Sequence, residues 1–375
     1  MKIAIAYSKF SRPKVGGAKT SLRTLLEYLS RKMSFSADIF QVSPSEEPTM
    51  PYDIGKVVDI ESRKIPHLVW VDKVYQRYQW SSLLNGHLGK SYDLIIVQDN
   101  MIPAVVRATN SEETPILSFV RSLVSTGWGK YDTNRTLPRN FLATDIGGKV
   151  QFPFLVKNSR QYKRSLQEST TIIANSQFTS SKLSEQFDIK PTVVYPPIDI
   201  SKYRIDYDES GDITLVNPRA SYKGCDLFLD IAASLPEERF LIAGEIHSQE
   251  LADQAAVMDN VTHVEWFNDM RKAYGRTKIL LVPSKHHEPF GRVAAEAMIS
   301  GIPCIVSEKG GLPEGIGETG KIVSEIESVD RWIKAIQRVR QNHEPQRQIE
   351  RAKRFSVETQ GDQFHRIVES VIRNE

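Results

Sequence analysis

Apolar and polar residues along this chain follow two alternating rhythms. Short, nearly unbroken apolar runs recur at Lys2–Tyr7, Ala37–Val42, Leu94–Val97, Ile116–Phe119, Thr171–Ala174 and Thr192–Tyr195. Between them apolar residues return every three or four positions, as Leu22, Leu25, Leu26 and Leu29 do. The first rhythm predicts buried strands and the second amphipathic helices, here near 18–31, 74–88, 153–167 and 179–187. The Pro196-Pro197 pair then stiffens the chain and breaks the pattern. It restarts with strands at 213–216, 240–243, 261–265 and 278–282 and helices at 225–233, 329–340 and 357–372. Alternating strand and helix signals predict two doubly wound α/β domains with mainly parallel sheets.

Composition adds limits. A chain of 375 residues suits two ordinary domains, and 25% charged with 40% hydrophobic residues is a globular balance. No apolar run is long enough to cross a bilayer, and Met1 leads directly into a strand pattern with no leader-like segment. Two cysteines, Cys225 and Cys304, exclude a disulfide framework, so a reducing, cytoplasmic setting is expected. Charge is uneven. Residues 1–200 hold 26 Lys and Arg against 18 Asp and Glu, a balance of +8, and residues 201–375 hold 23 against 28, a balance of −5. A basic first half suits an anionic partner.

Candidate chemistry gathers after predicted strands, where open α/β sheets bind ligands. The stretch His287-Glu288-Pro289-Phe290-Gly291-Arg292, then Val293 to Met298, follows the 278–282 strand and puts Glu288 in a loop and Glu296 one turn into a helix. Two carboxylates there suit a hydroxyl-rich ligand. Arg219 and Lys223 follow the 213–216 strand beside a helix start, where two cations suit a diphosphate. Gly16 and Gly17 end a loop between the first strand and the first helix, an arrangement that cradles phosphate without matching a Walker or dinucleotide fingerprint. Asp99 and Asn100 close the 94–97 strand and Arg121 the 116–119 strand. Asp206-Tyr207-Asp208 has the spacing of a cation-binding pair but sits in a polar linker, and it reads as a solvated turn. Adjacent His286 and His287 diverge, unlike zinc-binding histidines at i and i+4.

The motif from His287 to Met298, with Gly301-Ile302-Pro303 and Gly310-Gly311-Leu312-Pro313-Glu314 behind it, strongly resembles the donor site of retaining glycosyltransferases of the GT-B fold. Ala174-Asn175-Ser176 and Val194-Tyr195-Pro196-Pro197 resemble that family too. The resemblance implies two Rossmann-like domains facing a cleft and a last helix that crosses back to the first domain. The domains would be residues 1–196 plus 358–375 on the acceptor side, and 197–357 holding the nucleotide sugar. It implies that Glu288 binds the donor sugar, Glu296 the ribose, Arg219 and Lys223 the leaving diphosphate, and that Gly16, Gly17, Phe290 and Gly291 line the donor. Arg121 stands where the family places a histidine against the donor sugar. Asp99 and Asn100 would lie on the acceptor side.

The expected activity is therefore metal-independent transfer of a hexose from a nucleoside-diphosphate sugar, with retention of configuration and no cofactor, in cell-surface glycan or glycolipid synthesis. A GT-B sugar-nucleotide epimerase and a non-catalytic sugar-nucleotide sensor are the alternatives. Basic residues interleaved with aromatics, Arg63, Lys64, Trp70, Lys73, Tyr75, Arg77, Tyr78 and Trp80, then Lys149, Phe152, Phe154, Lys157, Arg160, Lys163 and Arg164, suit a lipid-linked acceptor or peripheral contact with an anionic membrane. The aperiodic stretch 126–149 is expected to be an acceptor-binding loop. Nucleic acid is not expected, since no module for it is present.

Overall fold

The computed structural model describes residues 1–7, 17–42, 53–60, 68–88, 92–109, 114–126, 141–142 and 146–373. Gly16, Arg63, Lys64 and most of the 126–149 stretch, including Trp128, Lys130, Tyr131, Arg135 and Arg139, lie outside the described residues. The chain forms two compact units, Met1–Tyr195 with Gly361–Glu375, and Pro196–Gln360.

The first unit is built on seven parallel strands: β1 (Lys2–Tyr7), β2 (Ser36–Gln41), β3 (Asp53–Asp59), β4 (Leu94–Gln98), β5 (Ile116–Val120), β6 (Thr171–Ala174) and β7 (Thr192–Val193). Their order is β3-β2-β1-β4-β5-β6-β7, with Ile3 opposite Leu94 and Lys2 opposite Ser36. Chain order runs outward in both directions from β1 and β4, so the strand direction of travel switches between them. All five residues of β4 and of β5 are buried, because helices cover both faces of a parallel sheet. One helical layer sets Leu22, Leu25 and Leu26 beside Phe364 and Val368 of the Val357–Arg373 helix. Phe364 meets Phe119 with ring centroids 5.7 Å apart. Gln363 Nε2 adds a hydrogen bond of 2.6 Å to the Val193 carbonyl.

The second unit has six parallel strands: β8 (Asp212–Val216), β9 (Phe240–Ala243), β10 (Val261–Val264), β11 (Thr277–Val282), β12 (Cys304–Ser307) and β13 (Lys321–Val323). The order β10-β9-β8-β11-β12-β13 switches between β8 and β11. Phe228, Phe240 and Trp332 are fully buried against this sheet.

Two helices start earlier than the sequence pattern suggests. One runs Val69–Leu84 and the other Ile146–Gln167, with Pro153 inside the second. A proline is a good start signal, which is why 153 looked like the beginning. Inside a helix it forfeits one backbone bond. Phe152 and Leu155, buried together with Trp70, anchor the helix on either side of it. β12 and β13 go beyond the strands read from the sequence, and so does β3. It is an edge strand with Asp, Gly and Lys in it, and parallel pairing with β2 holds it, with the Lys56 amide donating to Asp38 Oδ1 at 2.9 Å.

Candidate functional site

In the second unit the sequence-predicted residues collect at the carboxyl ends of β8 and β11, the two strands that flank the switch point. β8 runs into Asn217 and Arg219, then a 3-10 turn, Ser221–Lys223, before the Cys225–Ser234 helix. β11 runs through Ser284 into the Glu288 loop and the Arg292–Met298 helix. Lys223 Nζ reaches Glu288 Oε1 at 2.5 Å across this gap, and Ser284 Oγ donates to the same oxygen at 2.7 Å. Glu288 is 9% exposed, so its charge is largely desolvated and needs both donors. Ser307 Oγ donates to the Ser284 carbonyl at 2.6 Å, tying β12 into the same network.

The backbone holds the Glu288 loop in place. Glu288 bridges to Gly310, and the Gly311 amide donates to the Glu288 carbonyl at 2.7 Å. Gly310 has φ 68°, and a Cβ there would run into the Glu288 backbone. The loop then turns at Gly291, φ 88°, which caps the following helix. A side chain at either position would be strained.

Glu296 is buried as well, at 6% exposure. Its Oε1 accepts from Arg292 Nε at 2.6 Å and its Oε2 from the Tyr274 hydroxyl at 2.8 Å. Arg292 also donates to the Pro197 carbonyl at 3.0 Å. Burial first, and the Glu296 charge second, push the Tyr274 hydroxyl well above its ordinary pKa, so it stays a donor. Burial works against the charge of Arg292, but Glu296 and Tyr203 more than offset it and raise its pKa. Burial, then Glu296, likewise raises Tyr203.

Other sequence-predicted residues have partners outside this network. Arg219 pairs with Glu245 at 3.4 Å and is half exposed. Phe290, expected to line the donor, is 3% exposed, and its ring packs on Phe355 at 4.9 Å. That side chain fills the core beneath the loop, because an aromatic ring between a helix start and a strand is best removed from water. Asp208 accepts from the Ser210 amide and hydroxyl at 2.8 and 2.9 Å, closing its own turn. His286 stacks edge-on against Tyr222. Among the described residues no group of three or more His, Cys, Asp or Glu side chains is placed to hold a metal ion.

The first unit carries its own polar cluster at strand ends. Asp99, at φ 41°, accepts the Arg121 amide at 2.9 Å through Oδ1. Asn175 Nδ2 donates to the Arg121 carbonyl at 3.2 Å, and the Tyr162 hydroxyl donates to the Asp99 carbonyl at 3.0 Å. The Arg121 guanidinium lies 5.2 Å from the Phe119 ring and is 5% exposed. Burial raises the Tyr7 pKa, and the Arg121 charge pulls it partly back. So the structure joins Asp99 to Arg121 and places Asn100 beside them on the turn Asp99–Met101. Gly17 opens the Gly17–Lys32 helix. Sequence reasoning missed Tyr274, Ser284 and Tyr162. Ser284, one turn of chain before Glu288 at a strand end, was within reach of it; the two tyrosines carry no local signal.

Residues 213–342, from β8 to just beyond the Val329–Gln341 helix, match the family described as Glycosyl transferases group 1. The D-inositol 3-phosphate glycosyltransferase of Mycobacterium sp. (strain JLS) is 27% identical over 183 residues, 42% of each chain. The chain thus spans less than half the length of that curated relative. Among solved structures, sucrose-phosphate synthase from Thermosynechococcus elongatus matches with a TM-score of 0.74 at 17% identity over 100% of both chains. Anabaena HepE, solved in complex with UDP and glucose, matches with a TM-score of 0.71 at 17% identity, covering 99% of this chain and 100% of that one. The fold is GT-B, two Rossmann-like units.

Proposed function

We propose, from a second unit that carries a glycosyl transferases group 1 domain, that this protein transfers a sugar from a nucleoside diphosphate to an acceptor hydroxyl. The observation that carries the reading is the Lys223–Glu288 pair at the β8/β11 switch point, with the buried Glu296 held by Tyr274 and Arg292 on the helix that follows the Glu288 loop. A diphosphate would draw the Lys223 ammonium, with Arg219 swinging from its exposed partner to share the charge. Sugar hydroxyls would donate to Glu288, and ribose hydroxyls to Glu296. In the reaction the anomeric C–O bond breaks and its electron pair leaves with the diphosphate. The acceptor oxygen bonds to the anomeric carbon, and its proton passes to a leaving phosphate oxygen. Lys223 and Arg219 offset the charge that grows on the diphosphate, so their contribution is largest in the transition state.

Retention of configuration, independence of metals and cofactors, and a glycan or lipid-linked acceptor are parts of the same proposal. The acceptor would be held by the first unit, where Asp99 and Asn100 stand at a strand end. A membrane-tethered acceptor fits the basic balance of that unit. UDP is the first nucleotide to test, since a neighbour of the same fold was solved with it. Calorimetry of the full chain with UDP tests the donor half. Binding is expected, and Glu296→Ala should weaken it by about 1.5–3 kcal/mol, the cost of losing a charged acceptor. Equal affinity in parent and variant would remove Glu296 from the site.

A further inference from the structure

The Ile146–Gln167 helix carries five basic residues, Lys149, Lys157, Arg160, Lys163 and Arg164, and no acidic one. Its exposed residues form one continuous face. At about 100° per residue, Ile146, Val150, Phe154, Lys157, Arg160 and Arg164 project within an arc of about 120°. Phe152, Leu155 and Tyr162 lie on the opposite side and are buried. The face is divided along its length. The first turns expose Ile146 at 82%, Val150 at 66% and Phe154 at 37%. The later turns expose Lys157, Arg160 and Arg164. Among the described residues none of these three cations forms an ion pair.

Neighbouring elements extend both ends. Gln151 accepts from the Trp70 amide at 3.0 Å, which brings the exposed Val69 to the apolar end. Phe141 stacks on Phe152 at 5.2 Å, which brings Leu142, 71% exposed. At the basic end, the exposed ring of Tyr78 lies 5.3 Å from Lys157 Nζ and 4.5 Å from the Arg107 guanidinium. In the second unit the large exposed apolar residues, Tyr222, Val257, Trp266 and Ile322, are scattered along the sequence instead. Exposed apolar side chains gathered on one face mark an interaction surface.

We propose that this face is a docking surface for an anionic lipid bilayer. Ile146, Val150 and Leu142 enter the boundary between headgroups and acyl chains. Lys157, Arg160 and Arg164 rest on lipid phosphates, and Tyr78, with an apolar body and a polar tip, sits at headgroup depth. Charge complementarity selects this occupant over a second copy of the chain, because two such faces would bring unneutralised cations together. The inference rests on the helix face alone and needs no sugar chemistry, so it can fail while the transfer reading stands, and the reverse.

The test is co-sedimentation of the full chain with phosphatidylcholine vesicles, with and without about one third phosphatidylglycerol, at low and high salt. The parent should partition onto the anionic vesicles and release partly in salt. Lys157→Glu/Arg160→Glu/Arg164→Glu should lower the partition coefficient on the order of a hundredfold or more, at roughly fivefold per lost cation. Ile146→Glu/Val150→Glu should lower it at both salt concentrations. Lys334→Glu/Arg338→Glu, on an exposed face of the second unit, should bind as the parent does. Circular dichroism confirms that each variant folds, which exposed positions allow. A parent that stays in the supernatant with anionic vesicles at low salt overturns the proposal. So do helix-face variants that sediment like the parent, or a parent dimer that Ile146→Glu/Val150→Glu dissolves without any change in vesicle binding.

Discussion

Replacing Glu288 with glutamine should move binding and turnover in opposite directions. Glu288 holds Lys223 at 2.5 Å, with side-chain exposures of 27% for the lysine and 11% for the glutamate. Two unit charges about 4 Å apart attract by about 4 kcal/mol at an effective dielectric near 20. Desolvation removes most of that, and a charged hydrogen bond contributes a net of about 1.5–3 kcal/mol. A diphosphate that recruits Lys223 must compete with this pull. Glutamine keeps an oxygen for Ser284 and Lys223 but loses the charge, so about 1 kcal/mol of competition disappears. UDP should then bind about fivefold more tightly to Glu288→Gln than to the parent. Turnover of a sugar nucleotide should fall by about a hundredfold, because the charged acceptor for the sugar hydroxyls is gone. Calorimetry with UDP and single-turnover rates on the same preparation measure both. Weaker UDP binding in the variant, or unchanged turnover, would refute the competition argument.

Tyr274→Phe should lower stability by about 1.5–3 kcal/mol, because Glu296 stays buried with one donor fewer; an unchanged urea midpoint would show that water replaces the hydroxyl. Chelating divalent metals should leave sugar transfer intact, whereas loss of activity restored by magnesium or manganese would revive Asp206 and Asp208 as ligands. Lys73 is pushed down to about 8, by burial first and by Arg77 second. Below pH 8 it is charged in both states and its burial opposes folding. Between pH 8 and about 10.5 the unfolded chain holds more protons, so stability contributed by this group rises with pH. Lys73→Met should therefore be more stable than the parent at pH 7 by about 1–2 kcal/mol, with the gap closing toward pH 10, and a constant gap in urea midpoints would contradict this.

The parts of this fold that could be read from the sequence are those whose burial is two-sided. β4 and β11 carry the apolar runs Leu94–Val97 and Ile279–Val282 because a parallel sheet has helices on both faces, and such runs are unbroken. β3 has one neighbour and one free edge, so its Asp53, Lys56 and Asp59 show no such run. β13, with three residues, is too short for any period. The Ile102–Ala108 helix is buried on nearly every side, and a short all-apolar helix has no stripe to detect. At the site, Lys223 and Glu288 could each be placed at a strand end. Their mutual bond could not, because they are 65 positions apart and meet only when β8 pairs with β11. The packing of Phe290 was hidden for the same reason: the ring's target, Phe355, lies far along the chain.

The most direct test of sugar transfer is to incubate the full chain with a panel of nucleoside-diphosphate sugars and follow the free nucleoside diphosphate by phosphorus magnetic resonance, beside Lys223→Ala under the same conditions. Sugar transfer predicts that at least one donor, a UDP-sugar first, yields free nucleoside diphosphate, slowly to water and faster once an acceptor is supplied. It also predicts that Lys223→Ala lowers the rate far more than it weakens donor binding. A parent that binds the nucleotide sugars but releases no nucleoside diphosphate from any of them, or a Lys223→Ala variant that turns over as fast as the parent, would contradict it.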